Sequence, residues 1–445
     1  MDDYRVLADG LAADIAAGRL RPGERLPPLR RFARDRRIAS STAARVYREL
    51  GRRGLTVGEV GRGTYVRSAA PRAEAALAEP AEARIDLELN FPVLPEHPAL
   101  LAKSLERLVR PDALAAALRP VGPAGTDAAR QAAAAHLVRA DWAPDPGQLL
   151  FAGNGRQAVA AAIAALVPAG ERLGVEALTY PVVKGIAARL GVTLVPLAMD
   201  EHGLTPEAVR DAAPLRAVYL QPALHNPLGI TMPDLRRREL VEVARELDLR
   251  IVEDAIYGFL RPDLPPLAAL APERIVVIDS LSKRLAPGLS LGFLTAPEGL
   301  TRELAAALRS GAWSASRFAL EAATGWMVDG TAAALEEAKR ADAAERQGIV
   351  AERLEGFRIR ADPQAYHCWW DLPEPWRADT FVAAAARRGI AVTPAGAFAV
   401  GTGHAPNAVR LALASPSLDA LAEALDVLAG LARGVPEDSG PAEWE

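Results

Sequence analysis

Lys283 is one of four lysines in a chain that carries forty-eight arginines. Where any positive charge suffices this composition supplies guanidinium, so a lysine that persists suggests a task for a primary amine, which forms Schiff bases as a guanidinium cannot. It stands in Asp279-Ser280-Leu281-Ser282-Lys283, just past the apolar run 275–278, and the ends of parallel strands are where such sheets present reactive groups. Asp254 ends another strand-like run, 250–253, where a buried carboxylate can pair with a protonated ring nitrogen, and Tyr257 follows one helical turn later, within reach of a ring oxygen. Asn226, in His225-Asn226-Pro227-Leu228-Gly229, can donate to the same oxygen. Gly153-Asn154-Gly155-Arg156-Gln157-Ala158 follows a strand and opens a helix, offering backbone N–H groups and a positive dipole end to a phosphate. Tyr180, in Thr179-Tyr180-Pro181, can stack on a flat ring. Each feature alone also has a plainer role: a solvated loop lysine, a common Gly-rich turn, a buried loop aromatic.

These residues need a scaffold, and the segments around them read as one. Strand-like runs at 148–151, 193–196, 217–220, 250–253 and 274–279 alternate with Ala-rich helical stretches, which predicts a mainly parallel sheet covered by helices. A smaller α+β lobe is expected from about residue 315, with strands near 365–372 and 408–414. Residues 69–84, AAPRAEAALAEPAEAR, hold no large apolar side chain except Leu77 and read as a linker, drawn from 69 to 87. The expected organisation is therefore a front domain over 1–68, this linker, a body over 88–435 and an acidic, frayed tail over 436–445.

The front domain has its own pattern. Tyr4, Leu7, Ala8, Leu11 and Ile15 recur at helical steps, a short helix begins near Leu29, and Thr42 to Arg53 reads as a third helix with Ala43, Val46, Tyr47 and Leu50 inward. Two short strands joined by Gly61-Arg62-Gly63 follow. A helix-turn-helix with a glycine-turned wing can set one helix in the major groove and an arginine at the phosphates or minor groove. Charge agrees: residues 1–68 hold fifteen Arg, no Lys and eight acids, a balance of +7, which leaves −11 for the rest of a chain whose net charge is −4. Arginines also simply solvate small domains.

Several classes are excluded or disfavoured. Half the residues are apolar, so disorder is not the main state. The single cysteine, Cys368, rules out an internal disulfide framework or a Cys-rich metal site, and no metal is expected. No apolar run approaches the ~20 residues of a spanning helix, and the start lacks the regions of a signal peptide, so a cytoplasmic protein with no membrane role is expected.

The segment 4–67 resembles the winged helix-turn-helix of GntR-type regulators through Gly18 to Pro27 (G-x-L-x-P-G-x-x-L-P), Arg30, Ser41-Thr42, Tyr47-x-x-Leu50 and Gly61-Arg62-Gly63-Thr64-Tyr65-Val66. The resemblance implies DNA contacts by Arg30, Ser41, Thr42 and Arg62. The family often has an arginine at the start of the recognition helix, where this chain has Ser40, which leaves the operator sequence open. Residues 88–432 resemble the fold-type I aminotransferases. That likeness implies pyridoxal 5'-phosphate, with Gly155, Arg156 and Gln157 as phosphate loop, Tyr180 as ring stacker, Asn226 and Tyr257 at the ring oxygen, Asp254 at the pyridine nitrogen, Ser280 at the phosphate, Lys283 as Schiff-base lysine, and Arg410 for a carboxylate. One departure is that Lys-x-x-x-Pro-Gly-x-Arg here ends in Ser290, removing an expected phosphate cation for which Arg284 or Arg156 would have to compensate.

Together the two parts resemble the MocR subfamily of transcriptional regulators. The resemblance implies a homodimer that binds double-stranded promoter DNA and senses an amino compound, or the coenzyme itself, by aldimine exchange at Lys283. A working aminotransferase with an accessory DNA-binding domain is the alternative, and a vestigial cofactor site in a body that only dimerises is a third.

Overall fold

The computed structural model describes residues 4–16, 19–20, 24–52, 55–59, 63–66, 83–401 and 405–435. The chain forms two compact units, one made chiefly of residues 1–75 and the other of 76–401 and 406–445. In the first, helices Tyr4–Ala16, Leu29–Asp35 and Ser40–Arg52 close around Ala8, Leu11, Phe32, Ala43, Val46 and Leu50, all buried. The three- and four-residue steps of Ala43, Val46, Tyr47 and Leu50 put them on one side of the third helix, as expected. The Tyr47 hydroxyl donates to the Pro27 carbonyl at 2.6 Å and so holds the turn before the second helix against the third. Strands β1 (Thr56–Glu59) and β2 (Gly63–Val66) pair antiparallel with Thr56 opposite Val66. Arg62, most of the linker and the acidic tail lie outside the described residues.

The second unit has a large and a small lobe. Its first strand, β3 (Ile85–Leu87), belongs to the small lobe. The large lobe follows in chain order with β4 (Leu149–Ala152), β5 (Arg172–Glu176), β6 (Thr193–Leu197), a separate ribbon of β7 (Met199–Asp200) and β8 (Gly203–Leu204), then β9 (Ala217–Leu220), β10 (Arg250–Asp254), β11 (Ile275–Ser280) and β12 (Gly292–Thr295). Its seven-stranded sheet has the order β4-β12-β11-β10-β9-β5-β6. Only β12 runs against its neighbours. Helix Gly155–Leu166 lies on the middle of the sheet, where Ala158, Ala161, Ala162 and Ile163 meet Val252, Val276, Ile278 and Leu294; short side chains let helix and strands approach closely.

In the small lobe β13 (Arg358–Arg360), β14 (His367–Asp371), β15 (Ile390–Pro394) and β16 (Ala408–Ala412) join β3 in the order β13-β14-β16-β15-β3. Helices Ala378–Arg387 and Leu418–Arg433 cover it through Phe381, Leu421, Leu425 and Leu428. Helix Thr331–Arg353 serves both lobes: Leu335 packs with the large-lobe core and Val350 with the small-lobe core.

Two boundaries differ from expectation. The linker was drawn to residue 87, but Ile85 and Leu87 are buried and β3 pairs parallel with β15. Three alternating residues are too few to give a strand signal beside a polar tract. The small lobe was expected from about 315, yet helix Arg317–Val328 turns Leu320, Ala323 and Trp326 onto Phe151 and Phe293 of the large lobe. Strands β5 and β12 were also not foreseen; each interrupts its apolar run with Gly or a terminal charge. Because burying one large aliphatic side chain contributes about 1.5–3 kcal/mol, a body that begins at residue 89, without Ile85 and Leu87, should melt several degrees below one that begins at residue 83. Differential scanning calorimetry of the two truncations tests this, and equal midpoints would show β3 to be dispensable.

Candidate functional site

All the strand ends that matter open on one side, the C-terminal edge of the parallel strands, where α/β sheets hold ligands. After β4, Asn154 caps helix Gly155–Leu166 by accepting from the Gln157 N–H at 2.9 Å, while the N–H groups of Gly155 and Arg156 have no acceptor within the helix. Gly155 lets the helix start pack closely here, since a Cβ would stand 3.0 Å from Ser280 Cβ and 3.3 Å from Ile256, so that these neighbours would have to give way. The Ser280 hydroxyl accepts from the Ser282 N–H at 3.1 Å and lies 3.2 Å from the Ser290 hydroxyl. Where an arginine was expected, a second hydroxyl thus stands beside the first.

Asp254, at the end of β10, is buried and accepts at one oxygen from the Tyr219 hydroxyl (2.6 Å) and Gln221 Nε2 (3.1 Å), and at the other from the Ile256 N–H (3.1 Å). Burial pushes its carboxyl up, and the Tyr219 and Gln221 donors hold it back toward the charged form. No ion pair joins it to a cation among the described residues. Tyr257 accepts from Asn90 Nδ2 at 3.3 Å, and burial pushes its hydroxyl up to about 12, so it remains a proton donor.

Lys283 closes the short helix Leu281–Arg284 and donates to the Asn90 carbonyl, with its amine 5.4 Å from the Phe91 ring centre. Burial, with the guanidinium groups of Arg156 and Arg410 adding to it, lowers the amine to about 7. Beneath it Lys339, fully buried, donates to the carbonyls of Lys283 (2.8 Å) and Leu285, and burial plus the charge of Lys283 brings it to about 7 as well. Arg410, on β16, faces Asp254 and Lys283 across the same cavity. It donates to the Glu88 carbonyl, to Thr393 Oγ1 (3.1 Å) and to Asn226 Oδ1 (3.4 Å), while its buried Nε has no partner and no carboxylate pairs with it among the described residues.

One cavity is lined by Arg156, Tyr180, Asn226, Asp254, Tyr257, Lys283 and Arg410, with Asn90, Phe91 and Gln221 added. Seven expected residues converge there; Gly155, Gln157 and Ser280 stand behind it at the helix N-terminus. Arg284 does not join them, which corrects its expected part in the phosphate site. It donates to both oxygens of Asp279 (3.0 and 2.6 Å) and to Glu336 (2.6 Å), almost wholly out of solvent. A guanidinium adjacent in sequence to the lysine points away from it on a short helix, and two buried acids claim its charge. Glu336, which burial alone would raise, is brought to about 2 by Arg284 and His136. Arg156 therefore remains as the cation at the phosphate end, exposed and set against the Tyr180 hydroxyl. Asn90, Gln221, Tyr219 and Lys339 were not foreseen. Lys339 carried a signal, as one of the four lysines; the others have none without the fold.

The donor set fits pyridoxal phosphate: a buried carboxylate without an ion pair for a protonated ring nitrogen, a tyrosine for the ring oxygen, a helix N-terminus with hydroxyls for the phosphate, and an amine that sheds its proton near pH 7 for the aldehyde. In the first unit Arg30, Ser40, Ser41, Arg45 and Arg48 are exposed and Thr42 half-buried, so the start of helix Ser40–Arg52 presents hydroxyls and guanidinium groups outward.

Two outcomes are expected. Because the folded amine titrates near 7 rather than at the ordinary 10.5 of lysine, it is neutral above pH 7 and gains a proton below. The rate at which the coenzyme-free protein captures pyridoxal phosphate should then be flat above pH 7 and fall about tenfold per unit below it; stopped-flow absorbance showing a rise that continues past pH 9 would contradict the assignment. Arg284→Met should destabilise by about 3–5 kcal/mol by leaving Asp279 and Glu336 uncompensated, whereas Arg156→Met should weaken coenzyme binding with little change in melting temperature.

Comparison with known proteins agrees with this geometry. The family of bacterial regulatory proteins of the gntR type matches residues 3–66, and aminotransferase class I and II matches residues 113–428. An uncharacterized HTH-type transcriptional regulator, YdeF of Bacillus subtilis, is 30% identical over 433 residues, 96% of this chain and 93% of that protein. The HTH-type pyridoxine biosynthesis transcriptional regulator PdxR of Corynebacterium glutamicum is 32% identical over 164 residues, 36% of each chain. The kynurenine aminotransferase of Pyrococcus horikoshii, solved with PMP, superposes with a TM-score of 0.72 at 22% identity, covering 83% of this chain and 95% of that one, a likeness of fold. With a gntR-type reader at its front and an aminotransferase class I and II body that uses pyridoxal phosphate behind it, the chain belongs to the MocR subfamily of GntR-type regulators.

Proposed function

We propose that this protein is a transcriptional regulator that binds promoter DNA as a homodimer through its winged helix and senses an amino compound in the aminotransferase-like cavity. The observation that carries this is Arg410: a buried guanidinium with an unpartnered Nε and no direct ion pair among the described residues, the Glu88 and Asp86 carboxylates acting on it only from a distance, set across one cavity from a lysine that titrates near 7 and joined in sequence to a basic helix-turn-helix. A buried charge without a direct ion pair is costly even when hydrogen-bonded, and an incoming carboxylate would relieve part of that cost. Bound pyridoxal phosphate supplies an aldehyde that exchanges one amine for another.

The chain's own residues do the rest. Asp254, kept acceptor-ready by Tyr219 and Gln221, would hold a ring proton; Tyr257 and Asn226 would set the ring's tilt, and Tyr180 would cover its face. The free N–H groups of Gly155 and Arg156, the Ser280 hydroxyl and the Arg156 charge would take the phosphate, with Gln157 N–H holding the Asn154 cap that shapes the loop. Lys283, deprotonated near neutral pH, is ready to exchange, and Arg410 admits ligands that carry an anionic group. On the DNA side Arg30, Ser41, Thr42 and Arg62 are the proposed contacts, with affinity falling steeply as salt rises because arginine–phosphate contacts release counterions.

The test titrates the full chain on its own upstream DNA against a panel of amino acids and amines while the visible spectrum of the coenzyme is recorded. A ligand that changes both the spectrum and operator affinity, by about fivefold or more, with negligible keto-acid formation, supports the regulator; keto-acid production at ordinary transaminase rates with unchanged DNA affinity favours the enzyme instead. Lys283→Ala should keep DNA binding and lose the response, and Arg30→Ala should weaken binding across sequences and reduce the salt slope by about one.

A further inference from the structure

Four residues follow β3 along the cavity wall, and they touch three groups that the proposed ligands would need: Arg410, Lys283 and Tyr257. The Glu88 carbonyl accepts from Arg410. The Asn90 carbonyl accepts from the Lys283 amine, and Asn90 Nδ2 donates to the Tyr257 hydroxyl at 3.3 Å. Phe91 lies under the amine at 5.4 Å. On its other side the same segment is pinned to the small lobe: Ala414 N–H donates to Asn90 Oδ1 (3.3 Å), Phe91 N–H donates to Ser415 Oγ (3.2 Å), and the Ser415 hydroxyl donates to the Leu89 carbonyl. Asn90 itself is only 3% exposed.

We propose that residues 88–91 are a strap that competes with the ligand for Arg410, so that a bound carboxylate displaces the Glu88 carbonyl and the movement passes through β3 into the linker. The proposal rests on the regulatory function above and names how its site is read out. Its physical basis is an exchange of acceptors. The guanidinium already makes a charge-assisted hydrogen bond to the carbonyl, and a carboxylate adds a full opposite charge and a second oxygen that a fork of N–H groups can take together, so the guanidinium favours the ligand when one is present and the strap when none is. The strap is main chain, and its contacts cannot slip independently of the backbone that carries them. Immediately upstream that backbone is β3, whose register on β15 has Ile85 opposite Ile390 and Leu87 opposite Val392. The segment before β3 is, in sequence, the tract that leads back to the winged helix. Displacement at Glu88 therefore has a short covalent route to the DNA-reading domain, which a ligand contact elsewhere in the cavity lacks.

The test uses the full-length, coenzyme-loaded protein and maleate, a carboxylate without an amine, as the probe. Amide hydrogen exchange is followed in peptides that cover residues 83–92, and maleate binding by the change in coenzyme absorbance. Saturating maleate should speed exchange at 88–91 by about tenfold in the parent chain and leave it unchanged in Arg410→Met. Ser415→Ala, which loosens the strap without touching the cavity groups, should show fast exchange before any maleate is added and should bind maleate about threefold more tightly. Protection at 88–91 that is the same with and without saturating maleate, a failure of maleate to bind, or unchanged maleate affinity in Ser415→Ala would each overturn the strap. Operator affinity measured on the same samples separates the two levels: strap release without any change in DNA binding leaves the exchange at Arg410 standing and removes the regulatory function instead.

Discussion

A lysine amine kept away from water, in the company of other cations, is the constraint on which the site depends. Lys283 loses its proton near neutrality because burial disfavours the charged form and because Arg156 and Arg410 stand close enough to add to that penalty. With either guanidinium replaced by a neutral group, the amine would hold its proton more firmly. The groups that would bind the two anionic ends of a ligand, a phosphate and a carboxylate, are thus also the groups that prepare the nucleophile. One electrostatic arrangement serves three tasks.

Holding such a cluster together needs compensation elsewhere, and the structure supplies it under the lysine loop. Arg284 pairs with Asp279 and Glu336, and Lys339 donates to two carbonyls at the end of the short helix Leu281–Arg284. These buried cations fix the backbone from which Lys283 projects. They also explain why the neighbouring arginine does not replace the missing phosphate cation: its fork is already filled by the Asp279 and Glu336 carboxylates, and breaking a buried pair is strongly destabilising.

Helix Thr331–Arg353 carries this network toward the small lobe. Glu336 and Lys339 face the lysine loop, while Arg346 donates to the Leu413 and Pro416 carbonyls (2.6 and 2.8 Å) and Gln347 to those of Ala365 and His367. The lobe that bears Arg410 and the lobe that bears Lys283 are therefore tied by polar contacts along one rigid element, as well as by the segment 88–91. Packed and hydrogen-bonded interfaces of this kind shift between discrete arrangements rather than deforming continuously.

Much of this was legible in the amino-acid order because the decisive signals are local. A rare lysine after an apolar run, glycines at a strand-to-helix turn, and helical steps of alanine and leucine each depend on a few neighbouring residues, and so the winged helix, the parallel strands other than β5 and seven cavity residues could be placed from the sequence. What the sequence left open depends on partners distant along the chain. Whether Arg284 meets a phosphate or two acids turns on Glu336, fifty-two residues away; whether Ile85 and Leu87 end a linker or begin a sheet turns on β15; and Asn90 has a role only because Lys283 and Tyr257 fold onto it. The sequence by itself determined which chemistry the side chains can perform, since that resides in their types and short-range spacing. The tertiary structure alone decided which charges are paired and which stand open to a ligand, because pairing is settled by where the backbone brings distant residues and by how much water it leaves between them.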